Sequence, residues 1–250
     1  MATGYLQRRA SWEILLKVSS GIYSDHALEK VLKHYEFNSL DIAFITELSF
    51  GCIRYRNFLD LWIDHISKIS HEKQPPKLRW LLHIGLYQLL KMDKIPFSAA
   101  ISSTVEVAKR NDLKGLAGTV NAILRNTIRN IKKENLPKIS SNELERLTYL
   151  ESLPFWLVNE IVNWLGIEEA KNVVKSFNKK PSIDLRINSL KTDINKFLKE
   201  LNECNINAEQ INQLKDGVAL NSNPRSIKNL PGYKDGMWVV QDRSSQWIAP

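Results

Sequence analysis

Helical periodicity constrains this chain more than any other feature. From Arg8 to about Asn130 apolar residues recur at three- and four-residue intervals, and only three of the nine prolines fall before residue 130. Ala27, Leu28, Val31, Leu32 and Tyr35 mark one helix face. Asn38 or Ser39 can cap the next helix, with Asp41 favourably placed in its first turn and Leu40, Ala43, Phe44, Leu48 and Cys52 as its apolar face. Asn57 can cap a further helix, striped by Phe58, Leu61, Trp62, His65 and Ile69 and broken by Pro75-Pro76. Leu78, Leu81, Leu82, Gly85, Leu86 and Leu89 continue on a strongly apolar helix that stops near Pro96, and the stretches 98–109 and 116–131 supply two more. Six or seven helices joined by short loops predict an all-α bundle. Trp12, Trp62 and Trp80 fall in the apolar stripes and belong to its core.

The run from Lys132 to Asn142 is polar, contains Pro137 and has no apolar period, so it reads as the boundary between a helical domain over 1–135 and a second domain over 143–250. Beyond it the pattern is mixed α/β. A helix from Phe155 ends at Gly166, and Ile167, Ala170, Val173, Val174 and Phe177 start another. Ile183, Leu185 and Ile187 alternate as a half-buried strand should, and Thr192 can cap the helix carrying Ile194, Phe197, Leu198 and Leu201. Short strands are expected near 206–211, 218–220 and 237–240. Asp242 would cap a final helix that has barely begun at Pro250, as in a chain truncated at the start of a further domain.

Charge is distributed unevenly. The net charge is +8, and the stretch from Gly51 to Lys133 holds fifteen basic and six acidic residues, so the remainder is nearly balanced. Arginines are prominent there, and a guanidinium binds phosphate through two parallel hydrogen bonds. Gathered on one face, this charge would suit a nucleic acid; scattered, it is an ordinary solvated surface. Other chemistries find no support. Ten glycines form no phosphate-cradling loop. The five histidines and the distant Cys52 and Cys204 offer no metal-ligand spacing and no disulfide framework. Gly115-Leu-Ala-Gly118 has the spacing of an RNA-clamping loop but reads better as a helix-entry turn. Without a leader or a membrane-length apolar run, a cytoplasmic protein is expected.

The helical domain resembles the NusB-like RNA-binding fold attached to bacterial ribosomal RNA methyltransferases. The resemblance rests on Asp41 to Gly51, Ile53-Arg54, Leu59-Asp60, Gly85 to Leu90, Ile95 to Ala100, Val105 to Lys109 and Gly118 to Arg125. The second domain is similar to the segment preceding the catalytic fold in the Sun/Fmu family of 16S rRNA cytosine-5 methyltransferases, through Pro154 to Leu157, Leu185 to Lys191 and Asp235 to Gln246. Ile42, and His83-Ile84 before Gly85, stand where that family carries arginines. The resemblance implies a monomer that docks small-subunit ribosomal RNA, with no metal. It also implies S-adenosylmethionine in the full-length family but no cofactor here. The donor loop and both catalytic-cysteine motifs would lie beyond Pro250, and neither Cys52 nor Cys204 matches them, so this chain alone is expected to be inactive and to lack the Rossmann-like catalytic domain.

Candidate RNA contacts are Arg8, Arg9, Arg54, Arg125 and Arg129 on the helical domain, with Arg186 and Asn188 on the second. Ion pairs to Glu47 or Glu106 are the competing role for Arg54 and Arg125. By resemblance Gln241, Asp242 and Ser244 lie beside the donor pocket, although Asp242 is equally a helix cap. Two other readings are a stand-alone NusB-like antitermination factor and a helical protein scaffold.

Overall fold

The computed structural model describes residues 4–139, 141–179, 181–221 and 227–248. The chain divides into two compact units, 1–178 and 179–250.

The first unit is helical: α1 (Tyr5–Ser19), α2 (Ser24–Leu32), α3 (Ser39–Arg54), α4 (Arg56–Ile66), α5 (Pro76–Lys91), α6 (Phe97–Arg110), α7 (Ala117–Lys132), α8 (Glu143–Leu150) and α9 (Phe155–Ser176). Asn38 caps α3, its Oδ1 accepting the N–H groups of Leu40 and Asp41 at 2.9 Å each. Pro76 opens α5, where a missing N–H costs nothing. Most of α5 is buried, from Leu78 through Leu89, which makes it the central helix of the bundle. Two glycines let neighbours close on it. A Cβ on Gly51 of α3 would lie 2.1 Å from the Tyr87 ring, and one on Gly85 would lie 2.6 Å from Leu124 of α7. Trp12, Trp62 and Trp80 are core residues, as their spacing predicts.

One expectation needs correction here. Asn57 is not a cap: α4 begins one residue earlier, and Asn57 donates its Nδ2–H to the Leu153 carbonyl at 3.1 Å. The first turn of α4 is instead satisfied from far along the chain. Ser152 Oγ accepts the Asn57 N–H at 2.9 Å and the Phe58 N–H at 3.3 Å. The contact division falls at 178/179, so the polar run 132–142 lies within the first compact unit (Ser140 of that run lies outside the described residues). Ser152 and Leu153 tie the α8–α9 loop to α4, and Asn178 Nδ2 donates back to the Glu151 carbonyl at 2.6 Å. α8 and α9 enclose a small core of their own around Leu147, Val158, Ile161, Ala170 and Val174. Gly166 breaks α9 at φ 75°, ψ 164°, where the sequence predicts one helix to end and another to start.

The second unit contains β1 (Ile183–Ile187), α10 (Ile194–Glu203), β2 (Ala208–Gln210), β3 (Gly217–Leu220), β4 (Trp238–Val240) and α11 (Arg243–Ile248). Its strands form an antiparallel sheet in the order β2-β3-β1-β4, with Leu185 opposite Val218 on one side and Val240 on the other. Leu185, Ile187, Phe197, Leu201, Val218 and Trp238 make its core. Asp193, not Thr192, caps α10, its Oδ1 accepting the Lys196 N–H at 3.0 Å. Asp184 points away from that core and is clamped by Arg243 of α11, whose Nε–H and Nη2–H reach its carboxylate at 2.7 and 2.9 Å. Pro250, where the chain stops, lies outside the described residues.

Candidate nucleic-acid interface

The strongest cationic feature is built by the phase of α7. Ala117, Val120, Ile123, Leu124 and Thr127 turn inward, with Leu124 seated on Gly85. A helix with that buried stripe must carry Arg125, Arg129 and Lys132, spaced i, i+4, i+7, on its exposed face. The ridge stands between two grooves. One, of about 760 Å³, runs between α6 and α7 and is lined by Lys109, Arg125 and Lys132 over Val105 and Ile128. The other, of about 610 Å³, lies where the end of α4 and the start of α5 meet α7, with Lys68 and Arg129 over Ile66, Leu78 and Ile123. Glu106 is the one carboxylate lining either groove, and it accepts the Nε–H of Arg110 at 2.5 Å. Lys68, Lys109, Arg125, Arg129 and Lys132 are all exposed, and none has an ion-pair partner among the described residues.

Arg125 and Arg129 therefore share one helix face. Arg125 pairs with neither acid weighed for it: its Nε–H donates to Asn121 Oδ1 at 3.0 Å. Arg54 is exposed at the end of α3, and Glu47 accepts the Tyr87 hydroxyl at 2.7 Å instead. Arg8 leaves the set of candidate contacts. It is buried, its Nε–H donates to Gln88 Oε1 at 2.9 Å, and its guanidinium lies 4.4 Å from the Phe44 ring centroid. Burial lowers its pKa to about 10. Arg9 is held by Glu13 at 2.9 Å, and Tyr35 donates its hydroxyl to the same carboxylate oxygen at 3.0 Å. In the second unit Arg186 is half-buried on β1. Asn188 is spent on the following loop, accepting the Leu190 N–H and donating to the Gly236 carbonyl, both at 3.2 Å. Asp242 Oδ1 accepts the Ser244 N–H at 2.7 Å and so caps α11, while the Gln241 carbonyl accepts the Gln246 amide at 2.8 Å.

Several other cations of the basic stretch are absorbed by the fold. Asp60 accepts the Nε–H of Arg79 at 2.7 Å and the Nε2–H of fully buried His83 at 2.8 Å, with Arg56 at 4.0 Å. Burial alone would raise the Asp60 pKa, but the hydrogen bonds from His83 and Arg79 outweigh it and hold the group at about 2. Burial also pushes His83 below its ordinary value, so the imidazole is neutral with its proton on Nε2. Cys52 is buried, and desolvation with the nearby Glu47 charge raises its thiol well above the usual range, which removes it as a nucleophile. Gly115 and Gly118 have open space where a Cβ would sit and lead through a short 3-10 turn, 114–116, into α7, as expected of a helix entry. Among the described residues no helix is long and apolar enough to cross a membrane.

Lys68, Lys109 and Lys132 were not among the sequence candidates. The spacing of Lys132 from Arg125 and Arg129 was a legible signal; the other two lysines reach the ridge only through the tertiary fold.

The same helices fall within a recognised family. The NusB family matches residues 6–129, and the RsmF/B-like methyltransferase ferredoxin-like domain matches residues 153–227. This chain is a NusB domain joined to an RsmF/B-type ferredoxin-like domain. The NusB domain thus takes in α1 to α6 and α7 as far as Arg129. The ferredoxin-like match begins in the α8–α9 loop, so it includes α9, which packs within the first compact unit. The chain is 37% identical over 227 residues to a "Probable ribosomal RNA small subunit methyltransferase B" of Synechocystis, covering 91% of this chain and 50% of that protein. It is 31% identical over 245 residues to the Bacillus subtilis protein of the same name, covering 97% and 53%. The chain therefore spans about half the length of the curated relatives it matches. The crystal structure of PH0851 shares the fold, with a TM-score of 0.63 at 18% identity over 98% of this chain and 54% of that one.

Proposed function

We propose that this chain is the RNA-recognition portion of a ribosomal RNA small-subunit methyltransferase that modifies cytosine at C5 with S-adenosylmethionine as donor. The observation that carries the reading is the α7 ridge, where five exposed cations without ion-pair partners among the described residues flank two grooves. Phosphates are the natural counter-charge for such a row, and guanidinium forks orient them. The names of the relatives support methylation of small-subunit ribosomal RNA, and the cytosine C5 position and the donor come from the resemblance of the second domain to the Sun/Fmu family. In this scheme residues 1–135 grip the RNA and the 143–250 portion sets its approach, with Arg54 and Arg186 as additional contacts. Holding the base in register is itself a catalytic contribution, since orientation removes much of the entropic barrier. The protein would act as a cytoplasmic monomer on small-subunit ribosomal RNA.

Asp242 and Ser244 are engaged with each other in the α11 cap, and Arg243 is committed to Asp184. S-adenosylmethionine supplies the methyl group in such enzymes, and the residues of this chain bind and orient the RNA. A stand-alone antitermination factor is the second reading; the ferredoxin-like match over 153–227 favours the first.

Combined Arg125→Ala and Arg129→Ala substitution tests the ridge. With two of about five phosphate contacts gone, the log–log salt slope of ribosomal RNA fragment binding should fall by about 1.4 and affinity by about tenfold. Thermal stability should hold within about 0.5 kcal/mol because both side chains are exposed. Unchanged affinity with an intact circular dichroism spectrum overturns the assignment.

A further inference from the structure

The groove at the junction of α4, α5 and α7 is more than a gap beside the ridge. Its walls are aliphatic, with Ile66, Ile69, Leu78 and Ile123 among them, and no carboxylate lines it. Lys68 and Arg129 stand on its lining. Its volume of about 610 Å³ is in the range of small-ligand sites.

The polar groups there are specific. Gln74 is 7% exposed, and its Nε2 donates to Ser67 Oγ at 3.2 Å and to the Ile69 carbonyl at 3.0 Å. A carbonyl accepts only, so the amide nitrogen must face Ile69, and Gln74 Oε1 is left with no hydrogen bond among the described residues. Asn126 Oδ1 accepts from Asn130 Nδ2 at 3.2 Å, which leaves Asn126 Nδ2 similarly open. A nearly buried residue with an open acceptor, an open donor, apolar walls and two cations together match one kind of ligand. The ligand is flat, has donors and acceptors on its edge, and carries a negative charge.

We infer that this groove receives one unpaired nucleobase of a single-stranded RNA, with the flanking phosphates on Lys68 and Arg129. The inference rests on the RNA-binding reading above and adds a base-holding site to a surface otherwise described only by charge. Continuity favours RNA over an acidic peptide, because Arg129 belongs both to this groove and to the α7 ridge. Apolar walls can hold a base by its faces while amide groups meet its edge.

Ala122→Phe is the discriminating substitution. Ala122 is an exposed position of α7 on the groove lining, so a ring there fills the space while leaving every cation in place. The intact chain is titrated with two fluorescein-labelled ten-nucleotide probes: an oligouridylate, and an abasic strand with the same sugar-phosphate backbone. The substitution should weaken the oligouridylate about fivefold or more, the range of one lost base contact, and leave the abasic strand unaffected. Methyl resonances of Ile66, Ile69 and Ile123 in the unsubstituted protein should shift saturably with the oligouridylate and not with the abasic strand.

Equal weakening of both probes, or of neither, overturns the site. So does selective loss of binding to a glutamate-rich helical peptide, which would make the groove a protein-docking site. If the unsubstituted chain binds neither strand, the RNA-binding reading itself falls. If it binds both strands equally and Ala122→Phe changes nothing, only the base site falls.

Discussion

Replacing Asp60 with alanine should cost the helical unit about 3–5 kcal/mol, the range for removing one partner of a buried ion pair. Asp60 is 4% exposed and takes hydrogen bonds from Arg79 and from His83, which is 0% exposed. Without the carboxylate, the Arg79 guanidinium loses its partner and the His83 Nε2–H is stranded in the core. His83 cannot compensate through its other nitrogen, since Nδ1 is already buried without a partner. Urea unfolding followed at the helical circular dichroism band measures the loss. A decrease below about 1 kcal/mol would mean that the cluster is incidental to folding.

The same group sets an acid limb. Its folded pKa of about 2 lies below the unfolded value of about 3.9, so the folded state binds fewer protons between them. The associated stability, about 2–3 kcal/mol, is fully present above the unfolded value and is lost as pH falls through the folded one. His83 acts in the same direction at higher pH: with its folded pKa depressed, the unfolded imidazole takes up a proton first as pH drops below about 6.5. Urea midpoints for the parent should therefore decline on acidification from pH 7, and the part between about pH 4 and 2 should be missing in the alanine variant.

What could be read from the sequence divides along a physical line. Local and repeated signals survived. The helix count up to Lys132, the Asn38 cap, the Gly166 break and the strand around Leu185 all depend on neighbours within a few residues. Gly51, Gly85 and Leu124 belong to the segments that carried the resemblance, and they are the points where α3, α5 and α7 approach one another. Distant partners were illegible. Arg8 and Arg9 read as RNA contacts, yet Arg8 is buried with its guanidinium bonded to Gln88, eighty residues on. Asn57 has the chemistry of a cap, but Ser152 does the capping from ninety-five residues away, and that bond ties the α8–α9 loop to α4. For the candidate interface, the stretch of excess charge was visible and its sorting was not. Asp60 withdraws Arg79, and Glu106 withdraws Arg110, while α7 and its two grooves gather five cations without ion-pair partners among the described residues.

That sorting makes the salt dependence of RNA binding the sharpest quantitative consequence. If Lys68, Lys109, Arg125, Arg129 and Lys132 each neutralise one phosphate, five counterions' worth of release gives a log–log slope near −3.5 on a single strand. Raising the salt from 50 to 200 mM should then weaken binding about a hundredfold. The count takes only the cations of the α7 ridge and its two grooves, and each further contact by Arg54 or Arg186 would steepen the slope by about 0.7. It excludes Arg8, Arg9, Arg56, Arg79 and Arg110 because their guanidiniums are buried, ion-paired or both, and an already paired cation releases little on binding. Had every cation of the Gly51–Lys133 stretch taken part, fifteen contacts would require a slope near −10. Fluorescence anisotropy with a labelled single-stranded ribosomal RNA fragment at four salt concentrations separates these cases. A slope near −3.5 that falls to about −2.1 in the Arg125→Ala, Arg129→Ala variant identifies the α7 ridge as the phosphate-binding surface. A response flatter than about −1 would leave the basic stretch as solvated surface and favour a protein scaffold.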